Sequence, residues 1–95
     1  MEEKTRLETL VSLRNEQLEL VLNREASIRM LTGLMKEDPD RVLTTSPNLD
    51  TMQPEAITVR KRMKQMQEAM EFDQARLDAL EEMIKEEKEK LLAQA

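Results

Sequence analysis

The densest group of side chains able to hold a cation or carry a proton is acidic: Glu81-Glu82 and Glu86-Glu87-Lys88-Glu89. A hard divalent cation needs about six to eight oxygen ligands, which binding loops supply at alternating positions around a turn glycine. No such glycine accompanies this run. Glu81 and Lys85, and Glu86 and Lys90, instead stand four residues apart, the spacing of stabilising pairs on a solvated helix face. The one basic cluster, Arg60-Lys61-Arg62-Met63-Lys64, offers charge to a phosphate, an acidic partner or a membrane surface. Successive helical side chains point about 100° apart, so this cluster spreads around its helix and reads as an ordinary solvated turn. The chain has no histidine and no cysteine, which removes the commonest catalytic base, the commonest metal ligand, thiolate sites and disulfides. The sequence therefore offers no catalytic, cofactor-binding or metal-binding residue, and a protein that is not an enzyme and uses no cofactor is expected.

The remaining residues of interest are apolar. Eight of the 95 residues are methionine, and Met63, Met66 and Met70 fall on one helical stripe. The flexible thioether packs against irregular shapes, so such a stripe either fills a core or adapts to a partner. Phe72, the single aromatic residue, falls outside that stripe and is a candidate exposed anchor, with Ala79, Met83 and Leu92 around it.

Two long helices must position these residues. From about residue 3 to 36 no proline occurs, and Leu7, Leu10, Val11, Leu18, Val21, Ile28, Leu31 and Met35 recur at helical spacing. With Leu7 at heptad position a, Val21, Ile28 and Met35 share its seam, Leu10 and Leu31 take d, Val11 and Leu18 take e, and Leu13, Leu20 and Leu34 take g. A two-stranded seam uses only a and d. The surplus leucines Leu13, Leu20 and Leu34 are therefore assigned to a partner. Gly33 is either a cap that closes this helix at Thr32 or an interior residue, with the longer helix to Lys36 preferred.

Residues 37–54 hold all three prolines and form the connector. Asp38-Pro39 and Ser46-Pro47 can each start a single turn, and Val42, Leu43, Leu49 and Met52 either fold back against the helix ends or stand free. From about 55 to 93 the heptad is narrower: Ala56, Met63, Met70, Leu77, Ile84 and Leu91 at a, and Val59, Met66, Asp73, Leu80 and Glu87 at d. Such a helix is roughly 55–60 Å long, too long to lie inside a globule of this size.

The fold class expected is all-α: one domain over 1–95, an antiparallel helical hairpin or coiled coil with a proline-containing connector, assembled into a larger bundle. Polar breaks in the seams supply a register. Pairing Arg24 with Asp73, Arg14 with Glu87 and Glu25 with Arg76 lets each seam charge meet an opposite one within about one helical turn; the other reading is that these charges snorkel to water.

Composition sets the outer limits. Charged residues are 37% and hydrophobic ones 39%, a coiled-coil balance rather than that of a disordered tail. A single aromatic gives no stacking platform, and a net charge of −5 gives no attraction to a phosphate backbone, so nucleic acid is not an expected partner. No stretch approaches the roughly 20 apolar residues of a membrane span, and Met1-Glu2-Glu3-Lys4 lacks a signal-peptide core, so a cytoplasmic protein is expected. The function class that remains is a protein-interaction module (adaptor, assembly factor or small chaperone) whose partner is another helical protein or a second copy, in a homo-oligomer or a hetero-complex. The alternative is a structural subunit of a filament, shell or scaffold.

Overall fold

In the computed structural model, residues 5–94 are described, in the order α1 (Arg6–Glu37), β1 (Val42–Pro47), β2 (Pro54–Thr58) and α2 (Val59–Gln94). The chain is mostly helical, as its heptads require. Thr5 opens α1: its Oγ1 accepts the Glu8 backbone N–H at 3.1 Å, and its carbonyl accepts the Thr9 N–H at 3.1 Å. The spacing Thr5-x-x-Glu8 is that of a capping box. Gly33 does not cap. It has no left-handed backbone, and the helix runs past it to Glu37, with Asp38 N–H still donating to the Leu34 carbonyl at 2.8 Å. Pro39 then stops it, and Asp38 closes a turn by accepting the Asp40 N–H on Oδ1 at 3.2 Å.

The connector corrects the all-α expectation. β1 and β2 pair antiparallel, from Val42 opposite Thr58 to Pro47 opposite Pro54, with an irregularity between Val42 and Thr44 that leaves Leu43 unmatched. Val42, Thr44, Thr45, Ile57 and Thr58 are β-branched and suit a pleated strand. Residues 54–58 thus belong to a strand, and the second helix starts at Val59 rather than near residue 55. Thr58 caps it, Oγ1 accepting the Lys61 N–H at 3.2 Å. Ser46-Pro47 starts no helical turn; Pro47 ends β1. The hairpin loop is built on Asn48, whose Oδ1 accepts the N–H groups of Asp50 (2.9 Å) and Thr51 (3.2 Å), while its own N–H reaches the Gln53 carbonyl at 2.9 Å. Met52 completes the loop with φ of 58°, in the left-handed region. Val42, Leu43, Leu49 and Met52 do not fold back; all four are exposed.

Contacts group the chain into two units, Met1–Asn23 with Met70–Ala95, and Arg24–Ala69. In the first, the two helical segments run antiparallel around Leu10, Leu80 and Ile84, with Leu7 and Val11 packed against them. In the second, Leu31 and Val59 are almost completely buried and Ile57 nearly so. The backbone there is tied by Val59 N–H to the Arg41 carbonyl and Arg60 N–H to the Pro39 carbonyl, both at 3.0 Å.

Candidate partner-binding surface

Every buried residue of the two helices falls on the a/d grid, although Ala56 and Leu91, also assigned to a, are exposed. On α1, Leu10, Gln17, Val21 and Leu31 are buried and Leu7, Arg14, Arg24, Ile28 and Met35 half-buried; on α2, Val59, Asp73, Leu77, Leu80 and Ile84 are buried and Met63, Met66, Met70 and Glu87 half-buried. The methionine stripe thus lies along the seam. Arg24 directs a guanidinium N–H at the Met66 sulfur, 3.7 Å away.

Outside the seam, apolar side chains remain in water. Leu13 is 39% exposed and Leu20 37%, seven residues apart on one flank of α1, or about 10 Å along its axis. Leu18 and Leu22, 38% and 53% exposed, lie on the opposite flank. Leu34, expected with Leu13 and Leu20, is half-buried and belongs to the other unit. Phe72 is 70% exposed and Leu92 76%, both on α2 in the first unit. Leu22 had no sequence signal, because position b is ordinarily polar. Gln17 was also missed: it is 7% exposed, and its Nε2 donates to the Asp73 backbone carbonyl at 2.9 Å. Its place at d, ten residues after Leu7 and seven after Leu10, was the available signal.

The charged residues of the first unit arrange themselves as follows. Glu87 takes Arg6 at 3.4 Å, two helical turns before the Arg14 assigned to it. Arg14 hydrogen-bonds Asn15 Oδ1 at 2.9 Å and lines a cleft of about 350 Å³ with Glu81, Lys85 and Lys88 over Ile84 and Leu92. Asp73 is buried and Arg76 exposed. In the second unit Glu25 pairs with Arg29 on its own helix at 2.9 Å. Two members of the basic cluster meet acids: Arg60 reaches Asp40, in the turn before β1, at 3.6 Å, and Lys61 binds Glu55 on β2. The Lys61 hydrogen bond, then that of Asn48 at 3.1 Å, then the Lys61 charge hold the Glu55 carboxyl below the usual range, slightly opposed by desolvation.

Among the described residues, no group of three or more acidic side chains is disposed to hold a metal, and no helix is long and apolar enough to cross a membrane. What the surface offers is apolar area on rigid helices, edged by charge. The chain matches no protein family model, no curated protein and no solved structure.

Proposed function

We propose that this protein is a non-enzymatic interaction module whose helices dock against a helical partner, as an adaptor, assembly factor or small chaperone does. The observation that carries the reading is the exposure of Leu13, Leu20, Leu18 and Leu22 on both flanks of a helix whose a/d seam is already filled. Leucines repeated at seven-residue spacing on one flank suit the groove between two partner helices, and desolvating them is the main source of affinity in such docking. Fully burying one leucine contributes roughly 1.5–3 kcal/mol, so losing two charge-free anchors should be decisive.

A photo-crosslinking side chain placed at Leu20 should give an adduct of one defined mass in extract from the source cells. The adduct should vanish in Leu13→Glu, and the same probe at Glu82, on a charged exposed position, should give none. Equal labelling from both positions, or labelling at Leu20 that ignores Leu13→Glu, would remove this reading.

A further inference from the structure

We infer that a second copy of this chain covers the side of the first unit that carries Leu13, Leu20 and Phe72, joining two helix pairs into a four-helix bundle about a twofold axis that runs along the helices. This rests on the docking role proposed for α1 and names its occupant. Two antiparallel helices that meet across a and d turn their g positions to one side and their e positions to the other, and c lies next to g on a helix surface. Leu13 and Leu20, at g of α1, therefore share a side with Phe72 and Ala79 at c of α2 and Met83 at g. All five are exposed, and all belong to the first unit. From Arg6 to Leu20 this side extends about 21 Å along α1.

The occupant follows from the register of the pair and the charges on this side. Gln17 at Asp73, Leu10 at Leu80 and Ile84, and Arg6 at Glu87 join residues whose numbers add to between 90 and 94. At the middle of that range Leu13 stands level with Ala79, Leu20 with Phe72, Glu16 with Arg76 and Arg6 with Glu86. A twofold axis along the helices lays each of these rows on its own reverse. Glu16 of each copy then meets Arg76 of the other, and Arg6 meets Glu86. Leu20 lies against Phe72, and Leu13 fits over the small Ala79. These four charges are the only ones at c and g from Arg6 to Leu20 and from Phe72 to Glu86. Among the described residues Glu16, Arg76 and Glu86 form no ion pair within the chain. The e side lacks this symmetry: Val11 is level with Glu81 and Leu18 with Gln74, so the same axis would set apolar side chains on polar ones. An axis across the helices that pairs Arg6 with Glu16 and Arg76 with Glu86 sets Phe72 on Lys90 instead.

Sedimentation of the whole chain over a range of concentrations tests this, and should show a monomer in equilibrium with a dimer and nothing larger. Phe72→Ser removes one anchor from each copy and should weaken the dimer on the order of a hundredfold. Glu16→Arg and Arg76→Glu each set like charges together twice, and each should weaken it about tenfold. Mixed in equal amounts, these two variants should dimerise with each other as tightly as the unaltered chain does with itself, because opposite charges then meet in both pairs. Circular dichroism reports whether each variant keeps its helices, and all three substitutions fall at exposed positions. Charge variants that fail to restore each other overturn the proposal, as does a dimer indifferent to Phe72→Ser. A loss of equal size in Glu82→Arg, at position f on the outer face, also overturns it. A chain that stays monomeric while a photo-crosslinker at Leu20 captures a different protein overturns the second copy as occupant and leaves the docking role standing. A monomer that captures nothing ends both.

Discussion

Glu55 joins the hairpin to the helix that follows it, through Lys61 on α2 and Asn48 in the loop. Because its folded pKa lies below the ordinary 4.5, the ionised form is the stabilising one. Its contribution is complete above pH 4.5 and is lost as pH falls through the lower folded value. The amide resonances of Asn48 and Lys61 should therefore shift together on acidification to about pH 3, and that coupled shift should be absent in Glu55→Gln. The contact was not legible in advance. Glu55 and Lys61 are six residues apart, a spacing that brings side chains together neither on one helix nor on one strand, and only the strand-to-helix change at Thr58 does so.

At the scale of elements, α1 carries a glycine where its geometry asks for none. Gly33 is in an exposed helix interior, and a β-carbon placed there meets nothing within 4 Å. Gly33→Ala should raise stability by about 0.5–1 kcal/mol, seen as a higher urea midpoint at unchanged slope. The helices were readable because a long period repeats: Leu10, Val21 and Leu31 on α1, and Leu77, Leu80 and Ile84 on α2, all kept the faces that the heptad gave them. β2 was not, since Ala56 continues at position a the seam that Val59 opens on α2, and five residues are too few to separate a strand period from a helical one. Glu87 found Arg6 instead of Arg14 for a related reason: both arginines lie within reach of one helical face, and sequence spacing alone does not choose between long, flexible side chains.

For the molecule as a whole, acidity is dispersed along helix faces rather than focused at a site. Glu81, Glu82, Glu86 and Glu89 are exposed, and no metal-holding group occurs among the described residues. Millimolar calcium or magnesium should accordingly leave the melting temperature of the chain unchanged, because an ion stabilises a fold only by binding the native state more tightly than the unfolded one. A clear rise in either salt, absent with sodium at equal ionic strength, would point to an ion site and against a purely interacting role.

The buried amide of Gln17 has one more implication. It donates to the main-chain carbonyl of residue 73, and every residue of α2 carries such a carbonyl. A copy of the pairing slid by a heptad would meet an equivalent acceptor, so this bond is indifferent to alignment and cannot tell a correct match from a shifted one. Fidelity has to come from neighbours that recognise side chains: Leu10 against Leu80 and Ile84, and Arg6 at Glu87.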